Sequence, residues 1–467
     1  MGKQDLELYF ESVANQRTKW EKRNRYYHKL LEKYFAFIIP ENSTILEIGC
    51  GTGNLLASLK ASHGVGIDFS SKIIEIAKSN HPDLNFFIQD AEKLEINEKF
   101  DYIIISDLVG SLWDVQTVFE NIQSVCHERT RIIVTYYNFL WEPLMHFGEL
   151  IKLKLKQPLQ NWLSPKDIIN ILSLTGYETI RTDNKIILPK YLPIFSWFLN
   201  RYIANLPIFK YFSLTNFVIA RPINYATKEY TVSIIVPARN EKGNIENAIL
   251  QTPEFGLEQE FIYVEGNSSD GTFEEMLRIK EKYPLKNIKV IKQTGKGKGN
   301  AVREGFEIAT GEILFILDAD LTTPPEDMPK FYEALSTNKG EFINGCRLVY
   351  PMEKQAMRLL NLIANKSFGL IFSFLLGQRL KDTLCGTKVL FKKDYEIIKH
   401  NRKYFGDFDP FGDFDLLFGA AKLNLKIVEI NVRYKDRQYG STQISRFKHG
   451  LLLIRMTLFA ARKLKFF

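Results

Sequence analysis

Short apolar runs, each closed by glycine, proline or an acidic residue, recur along this chain and set its organisation. Residues 44–48 run into Gly49-Cys50-Gly51-Thr52-Gly53, and residues 64–67 end at Asp68. Residues 85–88 end at Asp90-Ala91-Glu92, residues 100–105 at Ser106-Asp107, and residues 131–135 lead into Tyr136, Tyr137 and Asn138. Runs of this length bounded by turn formers predict strands buried on both faces of a parallel sheet, with helices between them. Residues 1–40 are polar and charged, with Tyr26, Tyr27, Leu30, Leu31 and Tyr34 at helical spacing, so they predict a helical lead-in. Residues 217–220 predict a last strand, and residues 221–229 have no periodicity and predict a linker.

The pattern then restarts. Residues 232–236 close at Pro237-Ala238-Arg239-Asn240-Glu241, and residues 261–264 at Glu265-Gly266. A third run precedes the loop Gly295-Lys296-Gly297-Lys298-Gly299, and the run from Ile313 ends at Asp318-Ala319-Asp320 before Thr322, Thr323, Pro324 and Pro325. The expected architecture is therefore α/β with two Rossmann-like domains, residues 41–220 with the lead-in 1–40, and residues 230–467. A length of 467 residues agrees with two or three domains.

Composition narrows the chemistry only slightly. The net charge of +8 favours anionic partners such as nucleotides, phosphates or acidic membrane surfaces. Cys50, Cys126, Cys346 and Cys385 lie far apart with no CxxC pair, which argues against a zinc site or disulfide framework and for a reduced, cytoplasmic setting. The first residues lack a basic-then-apolar signal pattern. No stretch reaches the roughly 18 uncharged apolar residues of a spanning helix. Residues 196–212, 359–377 and 451–461 come nearest; each predicts an amphipathic or core helix, with the core the simpler reading.

The first half carries a glycine-rich turn between a strand and a helix. Glycines let backbone approach a ligand closely, and the helix N-terminus beyond is electropositive. An acidic residue, Glu47, stands two places before Gly49, and Asp68 follows about 20 residues on, where a carboxylate can accept both hydroxyls of a ribose. The Glu47-x-Gly49-x-Gly51-x-Gly53 run, Asp68 and Asp90 together resemble the three cofactor motifs of class I S-adenosylmethionine-dependent methyltransferases, in order and spacing. The resemblance implies S-adenosylmethionine as cofactor. Gly49, Gly51 and Gly53 would line its methionine part, Asp68 its ribose and Asp90 its adenine, with Glu47, Ala91 and Asp107 completing the set. The sequence Ser106 to Asp114 lacks the Asn/Asp-Pro-Pro-Tyr turn of base-methylating relatives, so nucleic acid is not expected as a partner. Tyr26, Tyr27, Tyr136 and Tyr137 are candidates for an acceptor pocket, and carbon, oxygen and nitrogen acceptors all stay open.

In the second half, two carboxylates one residue apart just past a strand suit a divalent cation carrying a diphosphate. The series Pro237-x-x-Asn240-Glu241, Asp270-Gly271-Thr272, the lysine-glycine loop, Asp318-Ala319-Asp320, Gly345-Cys346-Arg347, Asp382-x-x-Cys385-Gly386 and Arg437-x-x-Gly440-Ser441 resembles glycosyltransferase family 2. The nearer likeness is to its dolichol- or polyprenyl-phosphate mannosyltransferase-like branch, which implies a GT-A fold and inverting transfer from a nucleoside-diphosphate sugar. Two departures stand out: Glu265-Gly266 replaces the usual Asp-Asp, and Gln443 stands where relatives often carry Lys. By the resemblance, Asp318 and Asp320 hold Mg²⁺ or Mn²⁺. Pro237, Ala238, Arg239, Glu241, Glu265 and Ala319 form the nucleotide pocket, and Lys296, Lys298, Arg347 and Arg437 grip phosphates. Asp415, beside Asp413, is the candidate general base for a hydroxyl acceptor, and helix capping explains that pair equally well.

The expectation is a bifunctional enzyme. It would move a sugar to a polyprenyl phosphate or lipid-linked envelope glycan, and methylate in the same pathway. It would be cytoplasmic, with its basic tail (Lys448, Arg455, Arg462, Lys463, Lys465) suited to the cytoplasmic membrane face. The alternatives are a glycosyltransferase with a non-catalytic cofactor-binding scaffold, or a nucleic-acid methyltransferase with an accessory domain.

Overall fold

A computed structural model describes residues 3–157, 160–225, 227–350, 359–404, 412, 414–437, 439–440 and 446–467. The chain divides between Ile223 and Asn224 into two compact units.

The first unit is a seven-stranded sheet: β1 (Thr44–Ile48), β2 (His63–Asp68), β3 (Asn85–Ile88), β4 (Phe100–Ser106), β5 (Cys126–Tyr137), β6 (Tyr177–Lys185) and β7 (Thr215–Pro222). Its order is β3-β2-β1-β4-β5-β7-β6. The first five strands are parallel, and β7 runs antiparallel to both β5 and β6. Strand order reverses beside β1, so the carboxyl ends of β1 and β4 flank the crevice in which such sheets bind ligands. The core is made of the residues the pattern singled out, among them Leu46, Ile48, Ile67, Ile103, Ile105 and Val134, all buried. The lead-in is two helices, Lys3–Arg23 and Arg25–Ile38.

The second unit holds β8 (Val232–Ala238), β9 (Gln259–Glu265), β10 (Asn287–Lys292), β11 (Ile313–Ile316), β12 (Phe342–Cys346), β13 (Lys388–Phe391) and β14 (Ile427–Asn431), in the order β10-β9-β8-β11-β13-β12-β14. Strand β11 is buried along its whole length, but the sheet around it is mixed: parallel to β8, antiparallel to β13. This corrects the purely parallel expectation. A short apolar run encodes burial, not direction, and antiparallel strands are common additions to open α/β sheets.

The three apolar segments differ from one another. The helix Leu359–Leu376 buries Phe372, Leu375 and Leu376, and Arg446–Ala460 buries Leu453, Met456 and Ala460, each leaving other apolar side chains exposed. Residues 196–212 do not form core: Trp197, Phe198, Ile208, Phe209, Tyr211 and Phe212 are exposed. The reason is that polar Ser196, Asn200 and Asn205 take the inward positions. No helix among the described residues is long and apolar enough to cross a membrane.

Candidate active sites

In the first unit the chain leaves β1 through a turn in which Gly49, Gly51 and Gly53 have φ of 71°, 54° and 77°. Gly49 and Cys50 N both donate to Ile67 O, at 2.8 and 2.9 Å, which fastens the turn to β2. A side chain at Gly53 would meet Phe86 at 2.6 Å as well as an unfavourable φ, so glycine is required there. Glu47 lies beneath the turn and accepts from Leu56 N at 3.1 Å, at the start of the following helix. Burial pushes its carboxyl up to about 8, against the opposing Leu56 hydrogen bond.

Above the turn is a cavity of about 240 Å³. Of the expected cofactor residues, Gly49, Asp68, Asp90, Ala91 and Asp107 line it. Glu47, Gly51 and Gly53 build the turn instead. Asp68, at the end of β2, accepts from Gly51 N at 3.2 Å and Ser70 N at 3.1 Å. Two oxygens offer about four lone-pair positions, so acceptor capacity is left for a ligand hydroxyl. Asp90 accepts from Glu92 N at 3.0 Å and from Lys3 Nζ at 2.6 Å. Asp107 has φ 52° and accepts from Tyr27 Oη at 2.7 Å and Thr135 Oγ1 at 3.2 Å. Its burial raises the carboxyl pKa, with Tyr27 and His28 opposing.

Sequence reasoning missed the cover of this cavity. The helix Lys3–Arg23 contributes Leu6, Phe10, Val13, Arg17 and Trp20, and Asn24 and His28 continue the line. Their spacing of four, three, four, three, four and four residues is one helical stripe, a signal present in the sequence. Glu11 accepts from Ser70 Oγ and from Ser71 Oγ, the latter at 2.8 Å. Glu21 accepts from Thr52 Oγ1 at 2.7 Å and Asn54 Nδ2 at 3.1 Å. The four tyrosines do not form one pocket. Tyr137 lines the cavity and Tyr27 holds Asp107, whereas Tyr136 belongs to the core and Tyr26 packs on Tyr191, 5.4 Å between ring centroids. Backbone alternation sends neighbouring strand residues to opposite faces, which separates Tyr136 from Tyr137.

In the second unit, charged side chains converge where β8, β9 and β11 end. Gly266 N donates to Ala238 O at 2.9 Å, holding the exits of β8 and β9 together. Pro237 and Arg239 flank Ala238 on the β8 exit. Glu265 is buried and accepts from Ser268 N, closing its own loop. Asp320 accepts from Thr322 N at 3.2 Å and Thr322 Oγ1 at 2.9 Å, and Ala319 is buried between the two carboxylates.

Both carboxylates carry a cation. Lys298 Nζ lies 2.6 Å from Asp318, and Arg437 lies 2.6 Å from Asp320 and 2.5 Å from Glu241. Burial alone would raise the carboxyl pKa of Asp318; the charge of Lys298, helped by Lys388 and Arg347, outweighs it and holds the value below the ordinary range. For Glu241 burial prevails over Arg437, and the pKa is raised. A side chain at Gly386 would collide with Asp318 Oδ2 and Lys298 Nζ, so the Cys385-Gly386 turn leaves room for this pair.

The other expected residues have surroundings of their own. Arg347 is tied to Asp382, with Nε at 2.7 Å and Nη2 at 2.9 Å, and Asn365 completes the group at 3.1 Å. Lys296 is exposed in a loop that Gln293 and Asn300 brace. Asp415 is buried with Arg402 at 3.4 Å and Arg303 at 3.9 Å. Asp413 and Gln443 lie outside the described residues. Among the described residues no group of three His, Cys, Asp or Glu side chains is arranged around a metal position. Two carboxylates do fit a cation that keeps waters and phosphate oxygens as its remaining ligands.

Residues 39–171 match the family description Methyltransferase domain, and residues 233–397 match Glycosyl transferase family 2. A dolichol-phosphate mannosyltransferase of Pyrococcus furiosus is 38% identical over 120 residues, covering 25% of this chain and 33% of the relative. An undecaprenyl-phosphate 4-deoxy-4-formamido-L-arabinose transferase of Photorhabdus laumondii is 23% identical over 227 residues, covering 46% of this chain and 64% of the relative. The chain thus spans between a third and two thirds of these relatives' lengths. Among solved structures, a Thermotoga maritima S-adenosylmethionine-dependent methyltransferase is similar at 16% identity and a TM-score of 0.37, covering 46% of this chain and 98% of that one. In family terms, the chain carries a methyltransferase domain followed by a glycosyltransferase family 2 domain.

Proposed function

We propose that the second unit transfers a sugar from a nucleoside-diphosphate sugar to a polyprenyl phosphate or lipid-linked glycan. The first unit, in the same proposal, transfers a methyl group from S-adenosylmethionine within that pathway. The observation that carries the sugar-transfer reading is the set of paired charges at the strand ends: Asp318 with Lys298, and Asp320 with Arg437 and Glu241. Two carboxylates and two mobile-ended cations are the complement a metal-bound diphosphate needs. Asp318 and Asp320 would hold Mg²⁺ or Mn²⁺, which when bound neutralises the departing diphosphate. Lys298 and Arg437 are long enough to turn from carboxylate to phosphate oxygens, and guanidinium suits a phosphate bidentately.

An acceptor that is itself a phosphate attacks with its own oxyanion and needs no base. For a hydroxyl acceptor Asp415 is the proposed base, with Arg303 and Arg402 fixing its position. The names of two relatives, a dolichol-phosphate and an undecaprenyl-phosphate sugar transferase, favour the phosphate acceptor; with a lipid-borne acceptor, the same proposal puts the chain at the cytoplasmic membrane face. In the first unit, Asp68 would accept the ribose hydroxyls, Asp90 and Ala91 would meet the adenine, and Arg17, above Gly51, would take the carboxylate of the methionine part.

The test is a panel of nucleoside-diphosphate sugars incubated with and without polyprenyl phosphate, with Mg²⁺ or with chelator. One donor should be consumed only with metal, and faster with the lipid phosphate. Consumption that ignores both metal and lipid phosphate, or none with any donor, contradicts the reading.

A further inference from the structure

The first unit has a face whose polarity is inside out. Between Asn184 and Phe212 the chain contains no acidic residue. The helix Phe195–Arg201 turns Ser196 and Asn200 inward, 0% and 2% exposed. Asn200 accepts there from Ile187 N and Leu188 N, both at 2.9 Å, and donates to Leu188 O at 2.8 Å. Ser196 Oγ donates to Leu192 O at 2.7 Å. Outward stand Ile194, 79% exposed, and Phe195, 70% exposed, with Trp197 beside them, and Ile208 at 73% on the next turn. A helix packed on a water-soluble core shows the reverse arrangement. Rolling it over to bury Phe195 would strip the Ile187 and Leu188 backbone groups of their partners, so the apolar side is held outward by hydrogen bonds.

The face extends onto a second segment. Asn138 Nδ2 donates to Tyr211 O and Trp141 Nε1 to Phe212 O, both at 2.8 Å. The adjoining helix Glu142–Leu150 exposes Leu144, Phe147 and Leu150. Contiguous exposed apolar surface of this kind marks an interaction site.

Its charges indicate the partner. Arg23, Arg25 and Lys190 share one surface groove with Tyr191. Arg201 lies against the rings of Trp197 and Tyr202, and Lys210 against that of Tyr211. None of these five cations has a carboxylate within ion-pair distance among the described residues, whereas Lys3, Lys60 and Lys154 of the same unit do. Lys29, at the groove's edge, pairs with Glu32. Burial first, and then the charge of the neighbouring Arg23, lowers the pKa of Lys190. A second copy of this chain docking face to face would bring these cations together, which disfavours self-association. Aromatic side chains with lysine and arginine, on a stretch from Asn184 to Phe212 without an acid, fit the headgroup layer of an anionic membrane; Glu142 and Glu149 stand on the adjoining helix, and Glu149 is paired with Lys154.

We propose that this face of the methyltransferase unit docks on an anionic lipid surface. Phe195, Trp197, Ile208 and Phe209 enter the headgroup layer, and the groove of Arg23, Arg25 and Lys190 takes a headgroup phosphate. The proposal stands on the first unit alone and does not depend on sugar transfer.

The full chain is sedimented with phosphatidylcholine vesicles, with and without phosphatidylglycerol. Tight binding is expected only with phosphatidylglycerol, weakening as salt rises. Lys190→Gln, Arg201→Gln and Lys210→Gln should each lower the affinity about five-fold, from about 1 kcal/mol per cation near an anionic surface. Phe195→Ser should weaken binding while circular dichroism stays native; the three surface-charge variants carry the test if Phe195→Ser misfolds. Three results overturn the proposal: equal binding to both vesicle types, a triple glutamine variant that binds as wild type, or a concentration-dependent dimer that Phe195→Ser breaks in protein that ignores vesicles. Neither a sugar donor nor a methyl donor enters the assay, so its outcome is separate from that of the enzymatic reading.

Discussion

Lys298 Nζ lies 2.6 Å from Asp318 Oδ1. The proposed metal carboxylate therefore already has a counter-ion, supplied by the helix that begins at Lys298. A cation and a lysine cannot both hold that oxygen at full strength. Replacing Lys298 by Met should raise the donor KM at least about ten-fold, the order expected for losing a charge-assisted bond to phosphate. The same change should lower the metal concentration needed for half-maximal rate. Steady-state kinetics over a metal titration checks both; a donor KM that does not move removes Lys298 from the phosphate site.

Arg437 joins Glu241 and Asp320, residues 196 and 117 positions away in sequence. Arg437→Gln leaves two carboxylates facing each other without their cation. Partial exposure of the group limits the cost to about 1–2 kcal/mol of unfolding free energy, less than for a fully buried pair. Because burial already raises the Glu241 pKa, the variant should recover part of that loss on mild acidification. Urea denaturation at two pH values measures it.

Glu47 makes the stability of the first unit fall as pH rises. Burial lifts its carboxyl from the ordinary 4.5 to about 8, so between those values the folded unit holds a proton that the unfolded chain releases. Glu47→Gln keeps an acceptor for Leu56 N and has nothing to ionise. It should flatten the pH dependence across that window and stabilise the unit at pH 7 by several kcal/mol at most. Denaturation midpoints at a series of pH values decide the matter; parallel curves for variant and wild type would mean Glu47 is not buried as described.

Asp68 and Glu47 sit close in the fold but should fail differently. Asp68→Ala removes the acceptor proposed for ribose and should weaken S-adenosylmethionine binding about 10- to 100-fold, the range for a hydrogen bond to a charged group. Titration calorimetry reads this directly. Glu47→Gln should bind the cofactor close to normally.

Much of this was legible because strand ends are written locally. The apolar runs before Asp68 and Asp318 specify burial, and the carboxylate that stops each run stands at the strand exit; the run before Asp90 is different, an edge strand that leaves Phe87 and Ile88 exposed. What the sequence hid has physical causes. Strand direction leaves no mark in four residues such as Lys388–Phe391, so the antiparallel neighbour of β11 was not foreseen. The pairing of Arg437 with Asp320 depends on folding across the whole unit. The stripe from Leu6 to His28 is present in the sequence, but Arg17, Asn24 and His28 within it and the charged residues around it leave little apolar contrast. Residues 196–212 show the limit of composition: Phe195 and Trp197 are as apolar facing solvent as facing a core, and only the inward Asn200 fixes which way they point.

In the proposed chemistry Asp318 and Asp320 serve metal-dependent sugar transfer. The direct measurement is the rate at which labelled sugar passes from its nucleoside diphosphate to polyprenyl phosphate, for wild type and Asp320→Ala at saturating Mg²⁺. The wild type should transfer sugar in a reaction that chelator abolishes, and Asp320→Ala should lose at least about a hundred-fold, the scale of removing a several-kcal/mol electrostatic contribution. An Asp320→Ala variant that folds and transfers sugar at the wild-type rate would contradict that chemistry.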